Sequence, residues 1–182
     1  MPPPLELAAN LVVALSIFLA ACNHVATWPT GIIGCVLFAW VFHGANLYAD
    51  ALLQVFFVVT SGVGWWQWRR REAVTVTRAA PRGLVAMGLS AVVVTVAYGT
   101  LLHHFTDAYA PFADSAVLAF SVVAQLLLMR RQLETWAFWL LVNTVSVPLF
   151  LSRGLTLTAG LYAMYWLNAW WGGWTWWRQW RT

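Results

Sequence analysis

Seven side chains in this 182-residue chain stand where lipid would penalise them: Gln54, Thr60, Gln125, Trp139, Asn143, Tyr162 and Asn168, all inside long apolar runs. A polar group in hydrocarbon costs free energy unless it faces protein or water, so each is either a hydrogen-bonding link between helices or part of a wet cavity. At ~1.5 Å per helical residue, Gln54 and Asn143 lie on the order of 11–12 Å from the same ends of their runs. Two amides at one depth, with Tyr162, Thr60, Asn168, Ser121 and Gln125 near them, favour a polar cavity over scattered links. Such groups bind hydroxyls and amides; they transfer nothing.

Chemistry of other kinds has little support. No phosphate-cradling Gly-Lys-Ser loop, no His-Glu-x-x-His and no cysteine cluster is present, so neither ATP hydrolysis nor metal catalysis is indicated, and no cofactor, metal or enzyme activity is expected. His103 and His104 are adjacent and would need a further ligand to hold a metal; a solvated connector is the plainer reading. Asp50 and Asp114 stand near helix starts, where a carboxylate suits the helix dipole, or where it could draw a cation to the mouth of a pathway. Cys22 and Cys35 read as small packing residues.

The elements that position these groups follow from composition. The chain is 62% hydrophobic and 9% charged, and its mean hydropathy is +0.70. A soluble domain averages about 25% charged residues, so this is an all-α integral membrane protein with room for seven spans of about 20 residues. The apolar runs cover 5–22, 29–42, 48–68, 83–102, 112–129, 133–151 and 155–177. The Pro-rich start with Glu6 is unlike a cleaved leader, so the first run is expected to remain as a helix. His43, Gly44 and Asn46 are expected to turn the chain between the second and third runs.

All ten basic residues are arginines. Counting seven crossings sorts Arg69, Arg70, Arg71, Arg78, Arg82, Arg130, Arg131, Arg178 and Arg181 to one side and Arg153 alone to the other. The positive-inside rule makes the crowded side cytoplasmic, with the N-terminus outside and the C-terminus inside. The same positions argue against nucleic acid as a partner: the arginines flank spans rather than forming a basic groove. Of fourteen tryptophans, those near this side, including Trp28, Trp66, Trp136, Trp174, Trp177 and Trp180, read as an interfacial belt. Trp139 and Trp166 are deeper, suited equally to core packing or to stacking on a solute.

Sliding the chain by 108 residues sets Trp28 on Trp136, Gly64 on Gly172, Trp66 on Trp174, Trp68 on Trp176 and Arg70 on Arg178. The implied plan is a single membrane domain of a three-helix bundle (5–70), a linker helix (81–102) and a second three-helix bundle (112–180). With one helix between them the copies point the same way, the parallel-repeat design of which SWEET sugar transporters are an example.

The segments WPTGIIG from Trp28, LYADALLQVFF from Leu47, GWWQW from Gly64, ADS from Ala113 and SVVAQLLLMRRQLETWAFW from Ser121, with Asn143 beyond, resemble the PnuC family of nicotinamide riboside transporters over nearly the whole chain. The C-terminal helix matches loosely. The resemblance implies a bacterial inner-membrane importer of nicotinamide riboside. It also implies facilitated diffusion with alternating access, trapping by cytoplasmic phosphorylation, and a homo-oligomer, a trimer. It assigns Gln54, Gln125 and Asn143 to the ribose or carboxamide and Trp139 to the ring; Tyr162, Thr60 and Asn168 join them by depth and repeat position. Rival readings are a carrier of thiamine or a sugar, a non-transporting receptor and an intramembrane enzyme.

Overall fold

The structure, a computed structural model, describes residues 4–44, 48–70, 75–107 and 109–182. Asn46 and Arg71 lie outside the described residues, as does the Asp50 side chain. Seven helices follow in order: α1 Pro4–Ala21, α2 Thr27–Gly44, α3 Tyr48–Arg70, α4 Pro81–Phe105, α5 Pro111–Met129, α6 Thr135–Ser152 and α7 Thr156–Arg181. Pro81 and Pro111 open α4 and α5, where a missing N–H costs nothing. Among the described residues α1, α4, α5 and α6 are long and apolar enough to cross a membrane by composition. Within α2, Thr27–Val41 is a shorter apolar stretch, and α7 falls below that measure because it is rich in Trp and ends in Gln and Arg.

Two helix ends differ from expectation. The α4 helix runs on through His103 and His104 to Phe105, so these imidazoles occupy its last turn rather than a connector. Nothing before Thr106 breaks the helix. The α7 helix continues to Arg181, since its Trp and Arg residues have no helix-breaking neighbour.

The chain divides into two compact units, Met1–Thr75 and Val76–Thr182, with α4 in the second. In the first, α2 packs on α1 and α3. The α1–α2 turn passes through Asn23 at φ 54°, and the Thr27 hydroxyl donates to the Ser16 carbonyl at 2.9 Å. Trp28 stands edge-on to Trp68 with centroids 5.2 Å apart and planes at 87°. It lies so close to Gly64 that a methyl there would sit 2.5 Å from the indole.

The second unit repeats these details 108 positions on. Its turn passes through Arg131 at φ 54°, and Thr135 donates to the Ala124 carbonyl at 2.8 Å. Trp136 meets Trp176 at 5.5 Å and 87°, and a methyl on Gly172 would sit 2.6 Å from the Trp136 ring. Trp28 and Trp136, expected in an interfacial belt, are instead core: they are 2% and 4% exposed, and Trp176 is wholly buried. The glycines decide this, since only a residue without a side chain lets an indole lie against the neighbouring helix.

The second unit has three additions. Its α4 packs on α5 around Ala91, Ala119, Val123 and Leu127. The connector before α4 pairs with the α5–α6 turn: the Thr77 N–H donates to the Arg131 carbonyl and the Leu133 N–H to the Thr77 carbonyl, both at 2.9 Å. Glu134 accepts from Arg78 Nε at 2.9 Å and from the Ala79 N–H at 2.8 Å. Glu134 is the repeat mate of Ala26, so this carboxylate tie has no counterpart in the first unit. Glu134→Ala is expected to lower stability by roughly 1–3 kcal/mol, because a backbone N–H loses a charged acceptor. Melting in detergent checks this; an unchanged midpoint would mean the connector is held by its backbone bonds alone.

Candidate solute site

Five of the seven candidates lie in the second unit. Asn143 on α6 is 4% exposed and Gln125 on α5 is 7% exposed, and these two helices pack together. A buried amide carries two donors and an acceptor, more hydrogen-bonding capacity than an apolar helix packing needs, which makes both residues candidates to meet a polar solute.

The α6 helix arranges its polar groups along one stripe. Trp136, Trp139, Asn143 and Ser146 recur at intervals of three, four and three residues, which keeps them within an arc of roughly 80°. The stripe alternates aromatic surface with hydrogen-bonding groups. Trp139 is half-buried, while Ser146 is wholly buried and its hydroxyl has no hydrogen-bond partner. The Trp136 indole N–H is likewise unpartnered. Sequence reasoning passed over Ser146, although its spacing from Trp139 and Asn143 signalled it.

The stripe belongs to the second unit alone. The repeat mates of Trp139, Asn143 and Ser146 are Gly31, Cys35 and Phe38, which offer no comparable polar set. The other two candidates, Gln54 and Thr60, are on α3 in the first unit. Gln54 is half-buried; Thr60 is buried, and its hydroxyl donates back to Phe56 and Phe57 carbonyls at 3.0 and 3.1 Å. That local bonding leaves its oxygen as an acceptor only.

On α7, Tyr162 is half-buried between Phe150 of α6 and Tyr165, with centroids at 4.9 and 5.6 Å. Asn168 is half-buried two turns further on. Trp166, equally open to packing or stacking from the sequence, donates its indole N–H to Thr144 Oγ at 3.0 Å and thereby ties α7 to α6. Thr144→Val should remove that link at a cost of about 0.6 kcal/mol. A double-mutant cycle with Trp166→Phe measures it; a coupling energy of zero would show that the bond contributes nothing.

Asp114 does not stand open to a cation. Arg153 Nη2 meets it at 2.6 Å, pinning the start of α5 to the end of α6, and the Arg153 guanidinium also lies 5.6 Å from the Tyr109 ring. Among the described residues no group of three or more His, Cys, Asp or Glu could hold a metal. A recess of about 360 Å³ opens among Gly88, Val92, Phe120, Ala137, Phe138 and Leu141. Its lining holds none of the polar candidates, so it is apolar surface rather than part of the stripe.

With a repeated helical fold and a buried stripe of indole, amide and hydroxyl on one helix, comparison with known proteins becomes informative. The family model of the nicotinamide mononucleotide transporter matches residues 3–178. The chain belongs to the nicotinamide mononucleotide transporter family. Among its relatives, the nicotinamide riboside transporter PnuC of Escherichia coli strain K12 is 27% identical over 181 residues, spanning 83% of this chain and 75% of that protein. The riboflavin/roseoflavin transporter RibM of Streptomyces davaonensis is 29% identical over 182 residues, spanning 94% and 84%. The crystal structure of the vitamin B3 transporter PnuC superposes with a TM-score of 0.77 at 25% identity, covering 97% of this chain and 82% of that one. The PnuC resemblance read from the LYADALLQVFF and ETWAFW segments is thus borne out, and with it an all-helical membrane protein.

Proposed function

We propose that this chain is a multi-pass transporter of the bacterial inner membrane that imports nicotinamide riboside. The observation that supports the reading is the α6 stripe, on which Asn143 is 4% exposed and the wholly buried Ser146 hydroxyl has no hydrogen-bond partner. A pyridinium ring suits the Trp139 face, and the carboxamide and ribose hydroxyls suit Asn143, Gln125 and Gln54. Tyr162, Thr60 and Asn168 complete the set. No helix interior carries a proton-relay acid and no nucleotide motif is present, so flow is by facilitated diffusion and becomes one-way when cytoplasmic phosphorylation traps the solute.

All seven helices span the membrane in the 3+1+3 plan, with both three-helix bundles facing the same way, the N-terminus outside and the arginine-rich ends inside. Rocking of the two bundles gives alternating access. The assembly is a homotrimer, as the family resemblance implies. Both named relatives are transporters, which supports carriage rather than catalysis.

RibM supports a second reading, a flavin as solute, because its match extends over 94% of this chain. Both solutes join a flat heteroaromatic ring to a polyhydroxylated chain, so the same stripe chemistry serves either. They differ in charge and ring size. Liposomes containing the purified chain, offered nicotinamide riboside, its phosphorylated form, riboflavin, thiamine and a sugar in turn, decide between them. Saturable uptake of nicotinamide riboside without ATP or an ion gradient is expected. Uptake of riboflavin alone would move the assignment to the second reading, and uptake of the sugar or thiamine alone would refute both.

A further inference from the structure

The last turns of α7 carry a feature that solute recognition does not use. Exposed Leu167, Trp170, Trp171, Trp174 and Trp177 are followed by exposed Arg178 and Arg181. By helical spacing these seven fall within an arc of roughly 120°, one continuous face. The opposite face holds Gly172 and Trp176 against Trp136, which fixes the rotation of the helix.

Here the cations lie over aromatic rings. The Arg178 guanidinium lies 4.9 Å from the Trp174 ring and that of Arg181 lies 4.3 Å from Trp177, both one helical turn apart. Arg78 reaches in from the connector to lie 5.2 Å from Trp180. A guanidinium resting over a ring engages it by its face and keeps its N–H fork available to match two oxygens of a phosphate. Among the described residues of this unit's arginine-bearing end, Glu134 is the carboxylate present, and it is committed to Arg78 and the Ala79 N–H. Among the described residues no acidic side chain pairs with Arg178 or Arg181, so the patch keeps a net positive charge.

We propose that this face binds the phosphate headgroups of anionic phospholipids, with acyl chains lying along Leu167, Trp170 and Trp171 and the phosphate on Arg178 and Arg181. The order of residues along the helix argues for a lipid over a soluble anion. Apolar and aromatic surface leads without a break into the arginines, which is the polarity profile of a phospholipid from tail to headgroup. Among the described residues the first unit carries a matching pair, Arg70 at 4.3 Å from Trp66, 108 positions before Arg178 on Trp174.

The test uses the full chain in neutral detergent, titrated with phosphatidylglycerol, phosphatidylcholine or inorganic phosphate, reading lipid adducts by native mass spectrometry and the melting temperature. Phosphatidylglycerol is expected to bind at least about tenfold more tightly than phosphatidylcholine and to raise the midpoint. The Arg178→Gln/Arg181→Gln variant should lose roughly 30-fold, about fivefold for each arginine near an anionic surface. Trp174→Leu/Trp177→Leu, which keeps the charge and removes the stacking, should lose several-fold. Equal binding of the two lipids, wild-type binding by the arginine variant, or displacement by millimolar phosphate would each overturn the proposal. Should the glutamine variant fail to fold, Arg178→Lys/Arg181→Lys replaces it. That variant is expected to retain charge-driven binding while losing part of the preference, and binding identical to wild type would count against the stacked fork.

Discussion

Gly172→Ala and Gly64→Ala are each expected to destabilise the protein by roughly 1–3 kcal/mol, the usual cost of forcing a methyl into a filled core. The added carbon on Gly172 would lie 2.6–2.7 Å from three atoms of the Trp136 ring, and that on Gly64 2.5–2.7 Å from three atoms of Trp28. An indole is rigid and cannot bend one atom away. Neither ring can swing aside easily, because Trp176 on α7 and Trp68 on α3 meet them edge-on. Gly62 and Gly160 provide the control, since a methyl at either meets nothing within 4 Å. Alanine there should be neutral or stabilising by up to about 1 kcal/mol. Melting of all four variants in one detergent checks the pattern. If Gly172→Ala melts with Gly160→Ala, the tryptophan pairs are not the centres on which the two bundles are built.

Asn143→Ala is expected to weaken solute binding by roughly 1–3 kcal/mol, through loss of hydrogen bonds and exposure of the solute's polar groups to a site that no longer matches them. Ser146→Ala gives the sharper signature. Its hydroxyl is fully buried with no partner in the solute-free protein, so removing it should leave stability unchanged or improved. If that hydroxyl meets the solute, affinity nevertheless falls. Thr144→Val on a neighbouring face should do the reverse, lowering stability slightly and leaving affinity intact. Isothermal titration and melting on the same three preparations separate the cases. Wild-type affinity in a folded Asn143→Ala variant would remove the α6 stripe from the site.

The repeat was legible because tryptophan and glycine carry more information than leucine or alanine. The matches Trp28 with Trp136, Gly64 with Gly172 and Trp68 with Trp176 correspond in space to one interlocking motif built twice. What those residues do was not legible. A tryptophan near a helix end satisfies an interfacial belt and a buried core equally well, and the distinction lay in Gly64 and Gly172, whose partners are far away in sequence. The Asp114–Arg153 pair was hidden for a similar reason: 39 residues separate the partners, and each alone reads as a solvated helix end.

The candidate site was partly legible. Asn143 and Gln125 stand out because an amide in an apolar helix is expensive wherever it occurs. Ser146 does not stand out, since a serine ordinarily bonds back to its own helix, as Ser115 does to Pro111. The tie made by Glu134 was likewise invisible, because nothing local marks a carboxylate that will accept from a connector 55 residues earlier. The breakdown of the repeat along α6 is the informative exception. The two halves differ at Trp139, Asn143 and Ser146 against Gly31, Cys35 and Phe38, and the proposed solute site is the reading that this difference supports.

An experimental structure of the chain with nicotinamide riboside bound is the most direct test. The account predicts the carboxamide or ribose within hydrogen-bond distance of Asn143 Oδ1 or Nδ2, and the pyridinium over the face of Trp139. A solute bound elsewhere, touching neither Asn143 nor Trp139, would contradict it.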